Sequence, residues 1–125
     1  MKVNHIGIIT RDLYNDVKLY QRMGYNILCQ IIDNEQKNKI VIVEKDGSPD
    51  IELIEPVNEE STIINFENGY HHICFEADGN EDIVEVFNKM RVGKVFTPPI
   101  LAPALGNHSV VFACLYNGSF IELLL

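Results

Sequence analysis

The sequence predicts an α+β fold made from one βαβββ unit written twice. Three observations carry that expectation. First, Asn4-His5-Ile6-Gly7-Ile8-Ile9 and His71-His72-Ile73-Cys74-Phe75-Glu76 are both alternating runs of strand length. Second, each is followed by a stretch with apolar residues at helical spacing, stopped by a glycine, Gly24 or Gly93. Third, the halves close on matching strands, Ile51-Glu52-Leu53-Ile54 and Ile121-Glu122-Leu123-Leu124. The spacing repeats as well: 47 residues separate His5 from Glu52, and 50 separate His72 from Glu122. Self-similarity at this level is the mark of a duplicated unit.

Taken in order, the first strand leads into a helix whose apolar face is Leu13, Val17, Tyr20 and Met23, with Thr10 as a candidate cap. Strands over residues 25–32, 40–43 and 51–54 follow, with a turn at Asp46-Gly47 before the last. Residues 1–56 make the first module. The polar stretch 57–69 is a linker within one body, and Ser61-Thr62 ahead of Ile63, Ile64 and Phe66 predicts a short helical turn. The second module, residues 70–125, repeats the order. Its helix carries Ile83, Val86, Phe87 and Met90 behind a cap at Asn80. Its strands cover residues 94–100, 109–115 and 120–125, with a turn at Asn117-Gly118. The count is eight strands and two helices.

A chain of 125 residues is one domain by size. With 46% hydrophobic and 22% charged residues it has the composition of a folded globular chain, which excludes disorder. Ten basic against eighteen acidic residues leave a net charge of −8, the wrong sign for nucleic acid or an anionic membrane surface. No apolar run approaches the roughly 18–20 residues that span a bilayer, and the N-terminus reads straight into a strand without an export signal. Cys29, Cys74 and Cys114 are odd in number and lie in apolar strand-like stretches, which fits reduced thiols in a cytoplasmic protein.

Glu52 and Glu122 each sit between an isoleucine and a leucine. If those neighbours face a helix layer, the carboxylates face the other side of the sheet, where burial demands a matching charge. His5 and His72 lie in similarly apolar company. Taken singly, such a histidine is an ordinary core or edge residue and such a glutamate a solvated one. The repeated pairing points instead to one shared divalent cation. Two imidazoles and two carboxylates suit Zn, Ni, Co, Mn or Fe(II), and water or substrate oxygens can complete the shell. Alternation places Gly7 and Ile9 with His5, Ile54 with Glu52, Cys74 with His72, and Phe120 and Leu124 with Glu122. It sends His71 to the opposite face, in a structural or surface role. His108 reads as solvated, and Cys74 as a small apolar filler rather than a soft ligand.

These segments resemble the vicinal oxygen chelate superfamily, which includes glyoxalase I, extradiol dioxygenases, fosfomycin-modifying enzymes and bleomycin-binding proteins. Within it, Asn4-His5-Ile6-Gly7-Ile8, Ile51-Glu52-Leu53-Ile54-Glu55-Pro56 and Tyr70-His71-His72-Ile73-Cys74-Phe75-Glu76 are most similar to the methylmalonyl-CoA epimerase family. The resemblance implies an open U-shaped eight-stranded mixed sheet with helices on its outer face. It implies a metal held by His5, Glu52, His72 and Glu122, and a homodimer. Likeness weakens after Val95, where a proline-rich 98–106 stretch and residues 111–120 depart from the family pattern. That is where the family builds its substrate pocket, so the departure bears on substrate more than on metal.

The activity so implied is proton transfer next to the carbonyl of a 2-substituted acyl thioester, on CoA or a carrier protein. The metal would stabilise the enolate, and Glu122 would act as catalytic acid/base. The family needs a second acid/base on the opposite face. Glu44 is the nearest carboxylate in sequence, and its position at a strand end equally fits a solvated side chain. Two alternatives share the four ligands: a glyoxalase I-type lyase acting on a thiol hemithioacetal, and an isomerase of a biosynthetic intermediate. A third, a metal-free antibiotic-binding resistance protein, would not need them. An acyl-CoA is anionic like the chain itself, so a local basic patch would have to receive it.

Overall fold

Helical and alternating stretches fold where their periods predict. In the computed structural model, which describes residues 1–125, the first half runs β1 (Lys2–Ile9), α1 (Leu13–Arg22), β2 (Asn26–Asp33), β3 (Asn38–Glu44) and β4 (Asp50–Pro56). The second half runs β5 (Gly69–Glu76), α2 (Ile83–Met90), β6 (Gly93–Val95), β7 (Ile100–Ala102), a 3₁₀ turn (Pro103–Leu105), β8 (His108–Leu115) and β9 (Phe120–Leu124). All nine strands join one mixed sheet in the order β2-β3-β4-β1-β5-β9-β8-β6, with β7 paired to β8 beside β6. Parallel pairs β1–β4 and β5–β9 flank the central antiparallel pair β1–β5, so the two halves meet through their first strands. No helix is long and apolar enough to cross a membrane.

Nine strands stand where the sequence predicts eight. The single strand expected over residues 94–100 is split at Pro98-Pro99, whose missing N–H groups cannot join a ladder. The piece after the break forms β7 on the edge of β8, and the 3₁₀ turn that follows reaches across the concave side to pack on β2 and β3. Residues 57–68 form successive turns, and the short helical turn expected there takes the form of single turns, with Ile64 N–H donating to Ser61 O and Phe66 N–H to Ile63 O.

The helix caps differ from the expected ones. The Asp12 carboxylate accepts from Asn15 N–H at the start of α1, and the Asp82 carboxylate accepts from Val84 and Glu85 N–H at the start of α2. Thr10 instead accepts from Asp12 N–H, which braces the cap. Gly24 ends the first helix region at φ +95°, as a left-handed glycine does. Gly93 serves another purpose. Arg91 takes the left-handed cap of α2, while Gly93 pairs with Leu115 at a spot where a Cβ would lie 2.9 Å from Leu115 Cα. Glycine is there for close strand approach.

Alternation sorts each strand between two apolar layers. Val41, Val43, Ile51 and Leu53 pack under Val17 of α1. Val111, Ala113, Ile121 and Leu123 pack under Ile83 and Phe87 of α2. The intervening residues face inward, where Ile9, Ile40, Ile42, Ile54, Ile63 and Ala104 form a third cluster. Covering both faces explains why Ile40-Val41-Ile42-Val43 reads as an unbroken apolar run. It also explains why a glutamate with two apolar neighbours points inward on β4 and on β9.

Candidate metal centre

Two cross-strand rows bring the four predicted side chains together. In one row Glu52 of β4 pairs with Gly7 of β1, and Gly7 pairs with His72 of β5. In the next, His5 of β1 pairs with Cys74 of β5, and Cys74 pairs with Glu122 of β9. Each row reads ligand type, small residue, ligand type. The small residue in the middle is what lets the long side chains converge. A Cβ on Gly7 would stand 2.8 Å from His72 Nε2 and closer still to its Cε1 and Nδ1, so the His72 ring fills the place of a side chain at position 7. Cys74, fully buried, is the corresponding small residue beneath His5.

The distances describe one cluster. His5 Nε2 lies 3.1 Å from His72 Nε2 and 3.4 Å from a Glu52 carboxylate oxygen, and His72 Nε2 lies 3.1 Å from a Glu122 oxygen. Ligand atoms of His5, Glu52 and His72 all fall within 4.8 Å of one another, as do those of His5, Cys74 and Glu122. All four predicted residues are buried, none more than 6% exposed. Glu52, His72 and Glu122 border a cavity of about 30 Å³, room for one water-sized sphere, whose other walls include Asp33, Asn38, His71, Ala104, Leu105 and Phe112; His5 lies behind them against His72 and Glu52. Ala104 and Leu105 belong to the 3₁₀ turn that crosses the concave side, so the segment departing most from the family pattern roofs this cavity.

Electrostatics separates the two carboxylates. Burial and the Glu122 charge push the Glu52 carboxyl up to about 8. Burial also acts on Glu122, but the hydrogen bond and charge of His72 more than offset it and hold Glu122 below its ordinary value. Reciprocally, burial works to lower His72, and Glu122 keeps it raised on balance. His5 is lowered to about 4 by burial and by His72, against the opposing pull of Glu122. The Cys74 thiol is driven strongly upward by burial and both glutamates, so it is not a thiolate here. No lysine or arginine borders the cavity. Two carboxylates and two imidazoles with no cationic side chain among them form a donor set that a divalent ion fits in charge and in chemistry.

Several residues fall elsewhere than the sequence suggests. His71 is not on the opposite face. Gly7 pairs with His72 and Ile8 with Tyr70, so His71 is the extra residue of a β-bulge, and the bulge turns it inward beside His72. It is 8% exposed, and its ring packs against Phe66, His72 and Phe120 at centroid distances of 4.8, 5.0 and 5.0 Å. Burial lowers it to about 4. Glu44 is exposed at the far end of β3, next to Gly24 and Asp46, and does not reach the cavity. The carboxylate that does border it, besides the two glutamates, is Asp33. It is 1% exposed and accepts from Glu35 and Gln36 N–H, which makes it the anchor of the β2–β3 turn. His108 is exposed, as expected.

Comparison with known proteins extends these observations. Methylmalonyl-CoA epimerase, mitochondrial, from Dictyostelium discoideum is 29% identical over 98% of this chain and 76% of its own length. A hypothetical protein from Bacillus halodurans, 25% identical, superposes with a TM-score of 0.81 over 98% of this chain and 92% of the other. A variant of Streptomyces coelicolor methylmalonyl-CoA epimerase in complex with 2-nitronate-propionyl-CoA, 22% identical, has the same fold, with a TM-score of 0.77 over 99% and 96%. The Glyoxalase/Bleomycin resistance protein/Dioxygenase superfamily model matches residues 4–112, a span that holds His5, Glu52 and His72 and stops short of Glu122. Duplicated halves, paired first strands and that match agree: the chain belongs to the Glyoxalase/Bleomycin resistance protein/Dioxygenase superfamily.

Proposed function

We propose that the protein is a divalent-metal-dependent enzyme that moves the hydrogen next to a carbonyl, epimerising a 2-substituted acyl thioester of the methylmalonyl-CoA type. The observation that carries this reading is the buried convergence of His5, Glu52, His72 and Glu122 in one cluster, beside a small cavity that no lysine or arginine borders. The epimerase relatives support the choice of substrate class.

His5, Glu52, His72 and Glu122 would hold the ion. When bound, it would supply positive charge beside a carbonyl oxygen and so ease removal of the neighbouring hydrogen, an effect worth several kcal/mol. The chain's own part is proton handling and exclusion of water. Glu122 is the acid/base. Its carboxyl is held below its ordinary value by His72, whereas burial raises Glu52, which must give up its proton to serve as a ligand. A positioned carboxylate contributes typically 10²–10⁴-fold to such a step. Ile40, Ile54, Ile63, Ala104 and Phe112 keep the surroundings apolar, which strengthens every charge interaction inside. The cavity holds one water-sized group. Room for the acyl group therefore requires the Ala102–Leu105 roof to lift, and the half-exposed rings of Phe66 and Phe96, beside His71 and Phe120, offer an apolar surface along the way.

The direct test is proton exchange in D2O with methylmalonyl-CoA, followed by NMR in Co(II)-loaded protein and in a chelator-treated control. Metal-dependent loss of the α-proton signal supports the reading. No exchange above the chelated control, in protein that carries Co(II), removes this substrate and moves the search to thiol adducts and biosynthetic intermediates.

A further inference from the structure

Each of the two histidines in the centre is preceded in the chain by a residue that a bulge turns onto the same face. Asn4 is passed over between the pairs Val3–Phe75 and His5–Cys74, and His71 between Gly7–His72 and Ile8–Tyr70. The two bulged side chains do the same thing. Asn4 Oδ1 lies 2.8 Å from His5 Nδ1, and His71 Nδ1 lies 2.9 Å from His72 Nδ1. The Asn4 amide nitrogen donates to Glu76 across 2.7 Å, so its oxygen faces His5 and can only accept. His5 therefore carries its proton on Nδ1 and presents the Nε2 lone pair toward His72 and Glu52.

The second bulge holds a side chain with one group to spare. His71 Nε2 is buried and has no hydrogen-bond partner, the sole buried side-chain nitrogen or oxygen so placed. His71 is 92% buried by the same measure that leaves it 8% exposed, and it borders the cavity. A bare buried N–H or lone pair is costly unless something else meets it.

We propose that His71 is a positioning residue for the metal ligand His72 and, through Nε2–H, the donor that holds an acceptor oxygen of the substrate. This rests on the metal-centre reading above. With an ion on His72 Nε2, that ring keeps its proton on Nδ1 and donates it to His71 Nδ1. His71 must then carry its own proton on Nε2, the atom left without a partner. The partner of a metal-bound histidine fixes the ring's tautomer and orientation, and losing it lowers metal affinity by about 10–100-fold. Asn4 plays that part for His5 and is spent on it. His71 plays it for His72 and keeps a donor over. The complement of a neutral donor beside the ion is a carbonyl or carboxylate oxygen on the group the ion holds.

The experiment separates the two roles without relying on turnover. Long-range ¹H–¹⁵N NMR on the Zn(II)-loaded protein reads the tautomer of each histidine. His71 should carry its proton on Nε2 and His72 on Nδ1. His71→Phe, which keeps the aromatic packing and removes both nitrogens, should weaken Zn(II) binding about 10–100-fold in a chelator competition. His71→Asn, which copies the first bulge, should bind Zn(II) within about threefold of wild type. Titrating malonate, a small dicarboxylate probe, into Zn(II)-loaded wild type should shift the His71 Nε2–H resonance, and His71→Asn should bind malonate at least tenfold more weakly. A proton on His71 Nδ1, or wild-type Zn(II) affinity in a folded His71→Phe, overturns the positioning role. A malonate titration that leaves the Nε2–H resonance unmoved overturns the donor role. A wild type that binds no Zn(II) overturns the ligand set beneath both, whereas failure of methylmalonyl-CoA as a substrate leaves every one of these readouts intact.

Discussion

Replacing Gly7 with alanine tests the geometry of the centre with a single methyl group. Carbon atoms in contact sit about 3.5–4.0 Å apart. The added Cβ would lie 2.8 Å from His72 Nε2 and nearer to two other ring atoms, so the ring must retreat by more than about 1 Å. It cannot do so freely, because His71 Nδ1 stands 2.9 Å from one ring nitrogen and Glu122 3.1 Å from the other. Metal–nitrogen bonds tolerate only about ±0.2 Å around 2.0–2.1 Å. A displacement several times that tolerance detaches the ligand. We expect Gly7→Ala to fold with a loss of about 1–3 kcal/mol from overpacking and to bind Co(II) at least 100-fold more weakly. Circular dichroism establishes folding, and competition against a chromophoric chelator gives the affinity. Cys74→Ala, which keeps the small residue of the other row and removes its sulfur, should stay within about threefold of wild type. A folded Gly7→Ala with wild-type Co(II) affinity would refute the view that a glycine is needed to seat His72 at an ion.

Four other outcomes follow from the same structure. Glu122→Gln should lower metal-dependent α-proton exchange by about 10²–10⁴-fold while the protein stays folded, and near-wild-type exchange removes Glu122 as the acid/base. In chelator, stability should be greatest near pH 6.5, where the two histidines have stopped losing stability and Glu52 alone sets the slope. Glu52, raised to about 8 in the folded chain, contributes stability below its unfolded value that is lost as pH rises through 8. His5 and His71, lowered to about 4, lose stability as pH falls from 6.5 toward 4. Saturating Zn(II), which needs Glu52 ionised, should move the maximum of thermal stability to pH 7 or above, and a metal-independent profile counts against the ligand set. Asp33→Ala should cost about 1–2 kcal/mol through the freed Glu35 and Gln36 N–H groups, while Asp33→Asn, which keeps an acceptor oxygen, should lose much less in urea unfolding. Gly93→Ala should destabilise by about 1–3 kcal/mol without touching metal affinity, because its Cβ meets the β8 backbone far from the cavity.

Much of this architecture was legible in the sequence because it follows from short-range period. Helical spacing gave α1 and α2, and alternation with a repeated His-to-Glu distance put His5, Glu52, His72 and Glu122 on one face. What stayed hidden depends on how neighbouring strands register. Nothing in Tyr70-His71-His72-Ile73 announces that β5 carries an extra residue opposite Gly7 and Ile8, so strict alternation sent His71 to the wrong face. Its signal was the mirrored position of Asn4, visible once both bulges are seen. The caps at Asp12 and Asp82 were missed for a related reason, since a cap is set by where the backbone turns and several polar residues stood within reach of each start. Asp33 lies just past the strand expected over residues 25–32 and drew no reading of its own; only the folded hairpin shows it anchoring the β2–β3 turn beside the cavity. The roof formed by Ala104 and Leu105 is a long-range contact of the Pro103–Leu105 turn with β2 and β3, beyond the reach of any local pattern.

The central claim is that His5, Glu52, His72 and Glu122 hold one divalent ion. X-ray absorption at the zinc edge, on protein loaded with a single equivalent of Zn(II), addresses it without reference to any substrate. The account predicts one tightly held ion per chain, a shell of nitrogen and oxygen at about 2.0–2.2 Å with the multiple-scattering pattern of two imidazoles, and no sulfur. A sulfur shell near 2.3 Å, which would bring Cys74 into the set, or protein that takes up no stoichiometric zinc, would contradict it.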